Sequence, residues 1–300
     1  SEVIPKSGTY DARLITLGCT FVPDPTTDAC GGEGAFANKA IHIESDVPIV
    51  AYAHIYGQAS SGATMLMPVT TWGYSYITLN SLQSYAANCF SWAYVIAQHD
   101  NTVVEITPSA TTRRGRPANV PFTITLNRGE IYQTMAGPEG GTSKSEFSGT
   151  KFKSIANASG ECFPVAVFAG SSRTSGSGNC SSGTGDNDNQ QCFPSQAWGK
   201  RYLLAPTSSS TGASTFMSNA YKIAVKNAAT QVWRNGVLLT GINPAGYYEF
   251  FSNQPEYIVS DEPVMVAQFM KGGACLNGPL GDPEMIYVSP VEQGTNRIGF

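Results

Sequence analysis

Charge is what this chain of 300 residues has least of. Asp, Glu, Lys and Arg make up 13% of it, about half the roughly 25% of an ordinary soluble domain. Lys and Arg number 18 against 22 Asp and Glu, a net charge of −4. That balance lacks the basic footprint of a nucleic-acid binder. No apolar run approaches the roughly 18 residues of a membrane-spanning helix. No leader of the signal-peptide kind opens the chain, which reads as a processed form or as a segment whose targeting signal lies elsewhere. Only three histidines occur, His42, His54 and His99, and no His-Glu-x-x-His or Cys-x-x-Cys spacing surrounds them. A zinc centre is therefore not expected, and each histidine reads as a structural or surface residue. No long amphipathic helical stretch is present either.

Glycine (31) and proline (18) fill much of the space that charge leaves. With abundant Ser, Thr and Asn, they favour strands joined by tight turns, so the fold class expected is all-β. Three runs anchor that reading: Pro48-Ile49-Val50-Ala51-Tyr52-Ala53, Pro164-Val165-Ala166-Val167-Phe168-Ala169 and Pro263-Val264-Met265-Val266-Ala267-Gln268. Proline has no ladder N–H and suits the first residue of a strand. The nearly unbroken apolar character predicts strands covered on both faces. A second motif recurs beside them, Pro68-x-x-x-Trp72-Gly73-x-x-Tyr76 and Pro194-x-x-x-Trp198-Gly199-x-x-Tyr202. Tyr94-Val95-Ile96-Ala97 is answered by Tyr221-Lys222-Ile223-Ala224, each followed by an alternating strand. The spacing of about 100–130 residues is too long for one propeller blade or solenoid turn. It predicts tandem β-sandwich-like repeat units, with a multi-bladed β-propeller as the alternative. The units expected are a partial first (1–90), a second (91–207) and a third (208–300). Thr174 to Gln190 is the expected flexible loop, and 109–120, 136–149 and 207–219 the expected surface connections.

Seven cysteines among few charges point to an oxidising compartment. Local pairing of Cys19 with Cys30, and of Cys180 with Cys162 or Cys192, would clip loops; the odd count leaves one thiol over. The basic run Arg113-Arg114-Gly115-Arg116 reads as a solvated loop. Ser175-Gly176-Ser177-Gly178 lies in a low-complexity stretch with no helix after it, unlike a nucleophile elbow. Asp282 and Glu284 flank Pro283 and read as a turn before they read as a glycosidase pair. Gly185-Asp186-Asn187-Asp188-Asn189 reads first as a solvated polar loop with no cofactor; its hard oxygen ligands make calcium at Asp186 and Asp188 the alternative. Trp72 and Trp198 hold equivalent motif positions and read as core. Trp92 and Trp233 carry no such assignment.

Several phrases resemble a known family. They are Lys39-Ala40-Ile41-His42-Ile43-Glu44-Ser45-Asp46-Val47-Pro48-Ile49, His99-Asp100-Asn101-Thr102-Val103-Val104-Glu105-Ile106-Thr107-Pro108, and Thr125-Leu126-Asn127-Arg128-Gly129-Glu130-Ile131-Tyr132. Gly281-Asp282-Pro283-Glu284-Met285-Ile286-Tyr287 and Ser289-Pro290-Val291-Glu292-Gln293 continue the series. From about residue 36 to the end the chain is similar to the IgGFc-binding-protein N-terminal domain, with wording nearest the bacterial, Bacteroidota-type surface members. The resemblance implies a non-enzymatic extracellular adhesion or binding module, secreted or on the cell surface. Its partners would be glycoproteins, glycans or other surface proteins, or copies of itself in an oligomer or filament. The alternative is a carbohydrate-binding lectin or a glycan-active enzyme. A cleft with converging carboxylates and exposed aromatics would favour that alternative, and broad flat contact surfaces would favour assembly.

Overall fold

A computed structural model describes residues 33–37, 39–57, 60–82, 90–137, 146–175, 185–209, 212–272 and 282–294. No α-helix occurs among them. The chain opens with β1 (Gly34–Phe36) and a hairpin of β2 (Ala51–Gly57) and β3 (Ser60–Leu66). A first sandwich follows: β4 (Ser75–Ile77), β5 (Ser91–Ala97), β6 (Thr102–Thr107), β7 (Phe122–Leu126), β8 (Ile131–Met135), β9 (Lys151–Ile155), β10 (Val165–Thr174) and β11 (Asp186–Gln191). The second sandwich begins at β12 (Gly199–Leu204). After a small hairpin, β13 (Ser208–Ser209) and β14 (Gly212–Phe216), it continues with β15 (Asn219–Ala224), β16 (Val232–Arg234), β17 (Val237–Leu238), β18 (Tyr247–Ser252), β19 (Glu256–Met270) and β20 (Glu284–Val288).

In the first sandwich the sheet β1-β8-β5-β10-β11 faces the sheet β4-β9-β6-β7. Ala93, Val95 and Ala97 of β5 and Val165, Val167 and Ala169 of β10 meet Val104, Ile106, Leu126 and Phe152 across the core. The period of two is plain in β6, where Thr102, Val104 and Ile106 are buried and the residues between them are half-buried. In the second sandwich one long strand serves both layers. The first half of β19 pairs with β12 and β16, and the half after Pro263 pairs with β15 and β20. Tyr221, Ile223, Val264 and Val266 close on Tyr202, Val232 and Ile258. The pairing order is the same in both: β5 lies between β8 and β10 as β15 lies between β18 and the second half of β19. Likewise β6 lies between β7 and β9 as β16 lies between β17 and the first half of β19. No ring of blades closes among the described residues, so the architecture is of the sandwich type and not a propeller.

The Trp-Gly-x-x-Tyr motif is a clasp. Gly73 N–H donates to the Tyr76 hydroxyl (2.8 Å), which donates to the carbonyl of Val165 (2.6 Å). Gly199 N–H and the Tyr202 hydroxyl make the matching pair, ending on the Val264 carbonyl. Each tyrosine thus ties the start of its sandwich to the residue after a proline, Pro164 just before β10 and Pro263, against expectation, in the middle of β19. A Cβ at Gly73 would collide with Pro194, and one at Gly199 with Pro290. The motif needs glycine for that close approach.

Four expectations require correction. Two of the three proline-led runs are interior, with Val165 to Ala169 and Val264 to Ala267 fully or nearly fully buried. The run at Ile49–Ala53 is not: Val50 and Tyr52 are each 68% exposed. β2 pairs with β3 alone, and no described strand takes beside it the place that β5 and β15 take beside its counterparts. The stretch from Thr174 to Gln190 is strand at both its ends, with 176–184 outside the described residues. Residues 207–219 contain the β13–β14 hairpin. Cys162 and Cys192 are both free thiols, so neither bonds Cys180; Cys19, Cys30 and Cys180 lie outside the described residues.

Candidate functional site

The residues offered as calcium ligands lie on a buried strand. Asp186, Asn187, Asp188 and Asn189 are the first four residues of β11, and each is at most 6% exposed. The β11 backbone ladders with β10, and several of its side chains take partners from neighbouring elements. Asp186 Oδ1 accepts the Ser61 N–H at 2.5 Å, the Ser81 hydroxyl donates to Asp188 Oδ2, and Gln191 Oε1 accepts the Met67 N–H at 2.7 Å. β3 thereby lies against β11 through side chains instead of a backbone ladder. Asp188 Oδ1 is buried with no hydrogen-bond partner among the described residues.

The same cluster sits where the two sandwiches meet. Burial pushes the Asp188 carboxyl up to about 7, with the Asp186 charge adding to the rise. Glu284, at the start of β20, is also raised to about 7 by burial and by the Asp188 and Asp186 charges. Lys222 is fully buried nearby, but its three donors are committed to the Asn80 carbonyl (2.7 Å), Glu146 and Ser148 Oγ (3.3 Å). Asp188 therefore feels the ammonium without bonding to it. Among the described residues no three of His, Cys, Asp and Glu group closely enough to hold a metal ion. Neither Lys222 nor Glu284 was singled out as part of this cluster from sequence.

A second feature is on the surface. The strand registers align the outer faces of the two sandwiches position by position, with Tyr76 and Tyr202 as the common origin. In the first sandwich one outer row runs Ser75, Lys153, Glu105, Thr123 across β4, β9, β6 and β7. The matching row in the second runs Arg201, Val259, Trp233, Leu238 across β12, β19, β16 and β17. One step along, Lys151 is replaced by Tyr257, which pairs with Leu203. Polar side chains thus fill the Ser75 row of the first sandwich, and Ile77, the counterpart of Leu203, is buried, whereas the second sandwich presents exposed apolar side chains at both positions. Leu203, Tyr257 and Leu238 are exposed, and Trp233 and Val259 are half-buried. Arg201 borders the patch and pairs with Glu292 at 3.2 Å.

The remaining candidates are placed plainly. His42 is exposed and pairs with Glu44 at 3.2 Å, His54 is exposed on β2, and His99 stacks on Phe163. The basic run is braced against the fold, not simply solvated: the Arg113 and Arg116 guanidinium groups lie over Phe90 and Phe122, and Arg114 N–H donates to Glu33. Trp92 is buried and stacks with Tyr94, while Trp72 packs with Leu66 on the same cluster. Asp282 precedes β20, and Glu284 begins it.

Among known families, the model described as IgGFc binding protein matches residues 62–300. No curated protein and no solved structure matches the chain.

Proposed function

The chain belongs to the IgGFc binding protein family, and from that premise we propose that it is a non-enzymatic adhesion module working outside the cell, secreted or surface-displayed. The bacterial surface-protein setting belongs to the same proposal. Its partners are glycoproteins or other surface proteins, and the contact is made by the outer face of the second sandwich. The observation that carries this reading is the contrast between matched faces. Where the first sandwich places Lys153, Glu105 and Thr123, the second places Val259, Trp233 and Leu238. A solvated face does not need that change, and exposed contiguous apolar area marks contact sites. Trp, Tyr and Arg are the residue types that dominate binding energy at protein interfaces, and all three occur here.

A lectin is the second reading, favoured by the two aromatics Trp233 and Tyr257 on one face; the aliphatic Leu203, Val259 and Leu238 around them support a protein surface instead. One experiment separates the two. Binding of the chain to an immobilised mucin-type glycoprotein, before and after glycan removal, is compared with Trp233→Ala, Tyr257→Ala and Leu203→Ala. A protein contact survives deglycosylation and weakens in all three variants. A lectin loses binding on deglycosylation and tolerates Leu203→Ala. Variants that bind like the unmodified chain would remove this face from the proposal.

A further inference from the structure

The β2–β3 hairpin has two counterparts in the chain. Ile55, Ser171 and Met270 stand at the same step after Pro48, Pro164 and Pro263, and they pair with Gly62, Asp188 and Glu284 across their ladders. β2–β3 therefore corresponds to β10–β11 and to the second half of β19 with β20. Both counterparts are held from two sides. β10 is laddered to β5 from Val165 to Ser171, and Cys192, just after β11, enters the core that the sandwiches share. The second half of β19 is laddered to β15, and Met285 and Tyr287 of β20 enter the same core. The hairpin has neither support. Among the described residues β2 has no ladder but that with β3, and only Leu66, at the end of β3, packs on a hydrophobic cluster.

Polar bonds fasten it instead. Asp186 Oδ1 accepts the Ser61 N–H (2.5 Å), Gln191 Oε1 the Met67 N–H (2.7 Å) and Thr64 Oγ1 the Gln191 N–H (3.0 Å), while Gln190 Nε2 donates to the Ala63 carbonyl (2.9 Å). Gly62 closes the seam at one point, where a Cβ would meet Asn187. Water can take over bonds of this kind, whereas it cannot replace the buried apolar contacts that hold the counterparts. Both flanks lie at the surface: residues 41–50 are exposed and form no strand, and Pro68 and the turn Val69–Thr71 are exposed. We infer that the β2–β3 hairpin is a hinged arm, which swings away from β11 about these flanks while both sandwiches stay folded. Segments with few buried apolar contacts open at lower free energy than core strands. Opening takes the acceptors from the Ser61, Met67 and Gln191 N–H groups together and lets water onto the outer side of β11. A lone two-stranded hairpin is marginal in water, so the arm is ordered only while docked.

The test is amide exchange of the whole chain, followed residue by residue by NMR at rising urea concentrations below global unfolding. The Ser61, Met67 and Gln191 N–H groups are expected to exchange through one common opening, at least about tenfold more often than those laddered between β5 and β10. Their dependence on urea should be much weaker, because swinging the arm exposes little surface. Thr64→Val keeps the shape and removes one fastening, so exchange at Ser61 and Met67 should rise about threefold or more with the β5–β10 ladder unchanged. If the three N–H groups exchange only with that ladder, at its rate and urea dependence, the hairpin belongs to the first sandwich and the inference fails. It fails too if Thr64→Val quickens hairpin and ladder alike. Gln191 staying protected while Ser61 and Met67 exchange would mean fraying without release, and no protection at any of the three would mean an undocked hairpin; either overturns the arm. The apolar face of the second sandwich takes no part in these contacts, so glycoprotein binding by Thr64→Val should match the unmodified chain.

Discussion

Asp188 is a fully buried carboxyl with one unpartnered oxygen, beside a lysine whose donors are used elsewhere. Its folded pKa of about 7 stands above the ordinary 3.8, chiefly through burial. A raised carboxyl pKa means that the unfolded chain gives up the proton first. Stability is then unaffected below about pH 4, falls as pH rises from about 4 to 7, and stays low above that. Asp188→Asn keeps the shape and removes the charge, so it should reduce this slope to the part that Glu284 contributes and stabilise the chain at pH 8 by about 2–4 kcal/mol. Urea unfolding at several pH values measures it; an unchanged slope would show that the titration belongs elsewhere. Glu256 works in the opposite sense. Its bond with Arg234 (2.8 Å) lowers its pKa, so that contribution is present at neutral pH and lost as pH falls through the acid range. Calcium at Asp186 and Asp188 would neutralise the buried charge by another route. In that case a chelator lowers the melting temperature at pH 8, and does so less in Asp188→Asn. A melting temperature indifferent to chelator removes the cation.

The clasp tyrosines make the corresponding prediction for elements. Tyr76→Phe keeps the ring but strands the Gly73 N–H and the Val165 carbonyl inside the fold. A cost of about 1–3 kcal/mol follows. Tyr202→Phe should cost a similar amount, read as a drop in melting temperature; two neutral substitutions would show the clasp to be incidental. These motifs were legible because they are local: proline four residues before the tryptophan, glycine at a close approach and tyrosine three residues on announce themselves in one stretch of chain. The exposure of Val50 and Tyr52 was not legible, because an apolar strand reads the same whether or not a neighbour covers it. Asp186 to Asn189 look like a loop from composition; the ladder with Gly170, Ser171 and Thr174 of β10 makes a strand of them, and Ser61 and Ser81, more than 100 positions away, supply partners to the two buried aspartates. The apolar outer face was hidden for a related reason. Leu203, Trp233 and Val259 meet only through strand register, and alternation does not say which side of a sheet faces water.

At the scale of the molecule, the two sandwiches share one continuous core. Phe269, Met285 and Tyr287 of the second pack in the same cluster as Val95, Phe152 and Val167 of the first. The Tyr287 hydroxyl reaches across to donate to the Leu79 carbonyl at 3.2 Å, and Cys192 Sγ lies 3.3 Å from it. A shared core couples the free energies of its two sides, so the sandwiches should unfold together. Phe269 is the side chain to remove, because it is fully buried and lies on the outer surface of its own sheet, toward the first sandwich. Phe269→Ala should cost about 3–5 kcal/mol. The loss falls on the interface and leaves the internal core of Tyr221, Ile223 and Val264 intact. Unfolding followed in variants retaining a single tryptophan, Trp92 in the first sandwich or Trp233 in the second, should give coincident transitions in the parent. After Phe269→Ala the two probes should separate, with the less stable sandwich melting first. Transitions already separate in the parent would mean that the shared cluster couples the sandwiches weakly, and Asp188 in β11 and Glu284 in β20 would then each act on its own sandwich.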